Sequence, residues 1–478
     1  MFSLALTLPA AVFAQTDLRL IEASKTQDAA AFRSLLDLGI DANTAAADGA
    51  TALHWAVHRN NADMVSALLQ AGADPSANNR YGVGPLSLAA QNGNADILQL
   101  LLDAGADPDT SMGDNETALM TAARTGVAAA VTVLLERGAT VDSRESWRGQ
   151  TALMWAAAEG NLEAALQLIE HGADVGARST AGFTPLLFAA REGRVELLQP
   201  LLRAGASVDE SLPSRAAESN ESGMSDAAQT GMTPMLLAAA NAHYAAAAVL
   251  LDEGAAANQA PLGWTALHQI SWVRKAGQAG SNNPAPDGSG NMGSLEFARK
   301  LVAHGADVNA LATERPPVGV SSLNMKGGTP FLLAARTADA DFMRLLVELG
   351  ADPLLPNENM STPLMVAAGL GTAAPGEDPG TELEVLEAVQ LALELGNDIN
   401  AVDGHGETAM HGAAYKHVPS VVQYLADNGA EISVWYQENE YGWTPLTITQ
   451  GIHRGMSIVS SRETEAALQK LLDASVSR

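Results

Sequence analysis

The residues from Thr151 to Thr180, TALMWAAAEGNLEAALQLIEHGADVGARST, read as a short helix, a glycine-bearing turn, a second helix and a glycine stop, and the pattern begins again at Thr184. Leu153, Ala156, Ala157, Leu166 and Ile169 fall at helical spacing, so each helix is expected to present an apolar face. A unit of about thirty residues buries too little apolar area to offset the entropy of ordering its own chain. Neighbouring copies must complete the core, which constrains the chain to a stack of like units.

Three independent markers follow the repeat. Starts fall at Thr51, Gly84, Thr117, Thr151, Thr184, Thr233, Thr265, Thr329, Thr362, Thr408 and Thr444, and glycines that close the second helix recur from Gly39 to Gly429. A third glycine, or Asn115 or Met360 in its place, stands two residues before the starts, where a tight turn asks for a left-handed conformation. The Thr-x-Leu opening with paired alanines, Gly160 between the helices and the closing Leu-x-x-x-Gly-Ala-Asp resemble the ankyrin repeat, whose period is about 33 residues.

The resemblance implies an all-α ankyrin-repeat solenoid of about twelve helix-turn-helix repeats with β-hairpin-like fingers. Atypical units at Asp17 and after Thr444 are expected to serve as capping repeats. The family's usual histidine at the fourth position of the opening motif appears only at His54, His268 and His411; elsewhere Met or Leu stands there, trading a buried hydrogen bond for packing. The aspartates of the Gly-Ala-Asp turns recur with the repeat and are expected to bond nearby backbone amides.

Intervals between the markers locate insertions near 211–230, 276–293, 311–327 and 370–382, within a single array spanning 17–478. Their proline and glycine content excludes helix interiors, and the first is expected to be a mobile polar loop. Residues 1–14 are almost wholly apolar and end in small residues before Gln15, as a signal peptide does, with Met1 expected to lie inside a longer leader. The expected location is periplasmic or secreted. No later run is long and apolar enough to span a membrane.

The chain has no cysteine, which excludes thiol catalysis, disulfides and thiolate metal sites. A net charge of -28 argues against nucleic acid and is compatible with a basic partner, solubility being the plainer reading. Nucleophile-elbow and phosphate-loop signatures are missing, so no catalytic residue is assigned. His405, Glu407, His411 and His417 form the densest histidine cluster but lack metal-site spacing; neither metal nor cofactor is expected.

Ankyrin-type binding uses the fingertips and the exposed side of the first helix. Carried over position by position, the resemblance implies partner-binding residues at Tyr81, Trp147, Arg148, Phe183, Trp264, Tyr441 and Trp443 on fingertips, and at Arg191, Trp272 and Tyr415 on first helices. Trp, Tyr and Arg are the side chains that most often anchor interfaces. Trp55 and Trp155, directly after the opening motif, are read as packing residues. The expected function is that of a non-catalytic scaffold, a monomer holding a protein partner on its concave face. An exported enzyme or enzyme accessory acting through the inserted loops, or a secreted effector of a host protein, are the alternatives.

Overall fold

A computed structural model describes residues 17–213, 231–275, 286–315, 322–373, 375–376, 378–451 and 460–476. The apolar leader expected over 1–14 lies outside them, as do residues 214–230, 276–285 and 316–321 of three insertions. The chain divides into two compact units, Met1–Pro185 and Leu186–Arg478.

Within the first unit, helices follow one another in pairs: Arg19–Thr26 with Ala29–Asp37, Ala52–His58 with Ala62–Gln70, Pro85–Asn92 with Ala95–Asp103, Ala118–Thr125 with Ala128–Glu136, and Ala152–Glu159 with Leu162–Glu170. Threonine starts several of the first helices, and its hydroxyl accepts a backbone N–H where Thr117 takes that of Met120 at 3.3 Å and Thr151 that of Met154 at 3.4 Å. Second helices end on glycines such as Gly72 (φ +84°) and Gly172 (φ +86°), beside which an added Cβ would meet nothing within 4 Å. Glycine is needed there for its backbone conformation alone.

First helices lie between neighbours, and their alanines let the backbones approach: Leu53, Ala56, Leu153, Ala156 and Ala157 are all fully buried. On the second helix of the opening stretch, the inward face is Ala164, Ala165 and Leu168. Leu166, expected in the core, is instead 42% exposed. It lies two residues from both Ala164 and Leu168, which on a helix is more than half a turn away from the buried stripe.

The second unit repeats the pairing from Pro234–Ala240 and Tyr244–Asp252 to Pro445–Thr449 and Arg462–Val476. Its insertions fold back where they are described. Asp378 is almost fully buried against Arg336, Nη2 to Oδ1 3.0 Å, and the Lys416 ammonium donates to the Pro379 carbonyl at 2.6 Å. Asp378 and Pro379 thus sit on the ends of the first helices Pro330–Arg336 and Ala409–Lys416. Thr381 then caps the long helix Glu382–Glu394, and Glu384, paired with Lys275, closes the capping box.

No strand occurs among the described residues; isolated bridges join Ala45 with Thr51 and Ser111 with Thr117. The fingers expected to be β-hairpin-like turn tightly, with single backbone bonds such as Asn79 N–H to Val83 and no extended ladder among the described residues. Among the described residues, no helix is long and apolar enough to cross a membrane.

Candidate functional site

Each well-formed finger is built around one polar side chain. The oxygen of a residue five positions before the start accepts the N–H groups of the residues two and four further on. Asn79 takes Tyr81 at 2.9 Å and Val83 at 3.0 Å, Asp403 takes His405 and Glu407 at 2.9 Å each, and Asn439 takes Tyr441 and Trp443 at 3.0 Å each. In a finger one residue longer, Glu145 stands six positions before its start and serves three, Trp147 at 2.6 Å, Arg148 at 2.9 Å and Gln150 at 2.8 Å. These bonds consume donors that a hairpin would pair across its strands, which accounts for the missing ladder.

Successive fingers within a unit are tied by backbone bonds, Arg80 N–H to Asp48 and Thr180 N–H to Arg148 in the first, Gly404 N–H to Asn359 and Glu440 N–H to His405 in the second, at 2.8–2.9 Å. Met360 occupies the turn glycine's place with φ +63°, a conformation that strains a side chain of this kind. The anchoring Asn or Asp is a sequence signal, [ND]-x-x-G-x-T in its fullest form, that reading the glycines alone passes over.

The finger backbone is extended after its tip, so side chains alternate in direction. Tyr81, three residues before its start, and Trp147, four before its start in a finger one residue longer, face outward, whereas Phe183 and Trp264, one before theirs, face inward. Tyr81 and Trp147 are 64% and 72% exposed. The Arg80 guanidinium lies 4.8 Å from the Tyr81 ring centroid and that of Arg148 4.1 Å from the Trp147 ring.

The alternation corrects the exposure expected of Phe183 and Trp264. Both stand one position before the start and both are buried. Trp55 and Trp155, expected to pack in the interior, are half-buried, each beneath a cation from the preceding repeat: the Lys25 ammonium at 5.2 Å and the Arg124 guanidinium at 4.9 Å.

In the second unit, Arg191 pairs with Glu192 at 2.8 Å and lies over Phe188. Trp264 meets Trp272 edge to face, ring centroids 6.0 Å apart. Tyr415, expected on the exposed helix side, is buried because its hydroxyl donates to Glu407 Oε1 at 2.6 Å. Asn439 Nδ2 donates to the same oxygen at 2.8 Å.

Three of the ten expected residues, Tyr415, Tyr441 and Trp443, come together in one pocket of about 100 Å³. Its walls are the fingers at Asn359–Ser361, Asp403–Glu407 and Tyr441–Trp443, closed on one side by Ser322–Asn324 and Leu370–Gly371 from two insertions. Ser322 N–H donates to the Gly371 carbonyl at 3.0 Å and joins those insertions.

The pocket is polar at its base. Asp403 Oδ2 accepts the Ser361 hydroxyl at 2.9 Å. His405 Nδ1 lies 2.7 Å from Glu440, which raises the imidazole's pKa. Its Nε2 faces Asn359 Nδ2 at 2.6 Å, and Asn359 Oδ1 accepts from Asn324 at 3.0 Å. Burial raises the Glu407 carboxyl, the neighbouring Asp403 charge acting the same way, while the bonds from Tyr415 and Asn439 oppose the rise. The Tyr415 hydroxyl is raised by its own burial and by the Glu407 charge.

Aromatic faces form the rim, Tyr441 tilted 39° on Trp443 with centroids 5.1 Å apart and stacked on His405 at 6.4 Å. Among the described residues, no three His, Asp or Glu side chains are grouped to hold a metal ion.

Family models described as ankyrin repeats match residues 20–112, 86–179 and 119–211, and a further one matches 382–426. Both stretches are ankyrin repeats. Such repeats generally mediate protein–protein interaction and are typically non-catalytic. The chain is also similar to a crystal structure of the ankyrin repeat domain of Bcl-3, described as a unique member of the IkappaB protein family. The identity is 28% over 46% of this chain and 93% of that one, with a TM-score of 0.39.

Proposed function

We propose that the chain is an exported, monomeric, non-catalytic scaffold that holds a protein partner on the concave face formed by its fingers and first helices. The observation that carries this reading is the finger at Glu145–Gln150. An exposed tryptophan is held at its tip by backbone bonds to one buried carboxylate and is overlaid by Arg148. A large ring fixed in place before binding loses little freedom on association, which is the setting in which Trp and Arg anchor interfaces.

Tyr81 with Arg80 repeats the arrangement two fingers earlier. The charge of -28 favours a partner with a basic surface by long-range attraction, and the apolar leader supports a periplasmic or secreted location. Full-length protein immobilised in extract of the producing cells captures the partner, and amide hydrogen exchange of that complex locates the contact. Protection of residues 79–83 and 145–150 is expected. Protection confined to the second helices, around Leu166, contradicts the proposal.

A further inference from the structure

We infer that the pocket between Ser361, Asp403, Glu407, Tyr441 and Trp443 is a binding site for an organic cation, a guanidinium or ammonium head group. The inference concerns the second unit alone and does not rest on the fingertip reading of the first.

Two carboxylates line this pocket, Asp403 and Glu407, each more than nine-tenths buried, and no described lysine or arginine is ion-paired with either. Buried charges are ordinarily paired, because leaving water is costly without a counter-charge. Asp403 has both oxygens occupied by hydrogen bonds. Glu407 does not: Tyr415 and Asn439 both bond Oε1, which leaves Oε2 as the oxygen the pocket can offer. The remaining charged pair at the pocket, His405 with Glu440, is internally compensated. Three carboxylates, Asp403, Glu407 and Glu440, thus surround a single imidazole, and the site carries an excess of negative charge.

The rim supplies the second element of cation recognition. Tyr441 and Trp443 present adjoining ring faces whose negative quadrupoles favour a cation, and the effect grows as the cation is desolvated. Size is also selective. A cavity of roughly 150 Å³ accepts a benzene ring, so the pocket of about 100 Å³ has room for one head group and excludes a bulkier body. An arginine or lysine side chain of a partner fits these terms, and so does a small free cation; the chemistry recognised is the same.

Calorimetric titration of the full-length chain with N-acetyl-arginine amide tests the site, with the neutral isostere N-acetyl-citrulline amide as control. Saturable binding of the arginine compound is expected, weakened by salt, with no binding of the citrulline compound. Glu407→Gln keeps an acceptor for Tyr415 and Asn439 while removing the charge, and is expected to weaken binding at least about tenfold. Methylguanidinium and a Gly-Gly-Arg-Gly-Gly peptide separate the two sources: tighter binding of the peptide assigns the site to a partner's side chain, equal binding to a small cation. Equal binding of the citrulline and arginine compounds, or an unchanged affinity in a folded Glu407→Gln protein, overturns the inference. Should that variant not fold, the arginine–citrulline comparison on the unaltered protein decides alone.

Discussion

In the unit ending at Pro185, the outward fingertip rings of Tyr81 and Trp147 stand in solvent, each overlaid by its own neighbouring arginine. In the unit that begins at Leu186, rings of fingers and first helix turn to one another, Tyr441 on Trp443 and Trp264 on Trp272, and two of them join a polar pocket. The fingers themselves are made alike, from an anchoring side chain and a left-handed turn residue. What differs is what covers them. The first unit has near-uniform intervals and bare fingertips, whereas in the second the segments near 322–327 and 370–382 fold against the array and convert fingers into pocket walls. A finger of this chain is thus a rigid mount whose use depends on what the inserted chain does beside it.

If the insertion at 370–382 is a structural clasp, its buried ion pair should matter most. Asp378→Ala leaves the Arg336 guanidinium buried without its partner, a change that typically costs about 3–5 kcal/mol. Urea denaturation is expected to show that loss in the transition of the second unit, with that of the first unmoved. A loss below about 1 kcal/mol would mean that the segment only rests on the array.

Acid should also separate the units. His268 accepts the Thr265 N–H on Nδ1 and bonds the Gly328 carbonyl through Nε2, so a second proton would displace a backbone donor. Burial brings its pKa down to about 4, and that of His411, similarly bonded to Thr408, down to about 4. The folded-state values lie below the unfolded one, so the unfolded chain binds more protons between them. Stability is full above about pH 6.5 and falls as pH drops toward 4, by at most roughly 3 kcal/mol per histidine.

His54 in the first unit is lowered by the same cause, and Glu407, raised by burial, opposes the trend in the second. Replacing His268 by Leu and His411 by Met, residues that other repeats carry at this position, should flatten the decline in melting temperature between pH 6.5 and 4. An unchanged slope would assign acid sensitivity to groups other than the loop-bridging histidines.

Much of this architecture is legible in the sequence because it is imposed residue by residue. Gly172 is needed for its positive φ and Thr151 for a helix cap, and both demands leave one residue type at one spacing. The aspartates of the Gly-Ala-Asp turns behave as their recurrence suggests, Asp74 accepting the Ser76 N–H and Asp352 that of Leu354, at 2.9 Å each.

Inward or outward direction within a finger was not legible from residue type. Phe183 and Trp264 look like Trp147 by composition and differ only in standing one position before the start, where the alternation turns them inside. The pocket escapes the sequence for another reason. Ser322, Gly371, Glu407 and Trp443 are far apart in the chain, and the inserted segments that close it read only as proline- and glycine-bearing loops.

The most direct test of the scaffold account sets Trp147→Ala against Leu166→Ala, two exposed large side chains of the first unit, on the finger and on the second helix. Both changes are expected to alter stability by less than about 0.5 kcal/mol, as surface substitutions do. Capture of the partner by the immobilised protein should fall about thirtyfold in Trp147→Ala, the loss of an anchor worth ~2 kcal/mol, and remain unchanged in Leu166→Ala. Full capture by a folded Trp147→Ala protein, or loss in Leu166→Ala alone, would place the partner on the opposite side and contradict the account.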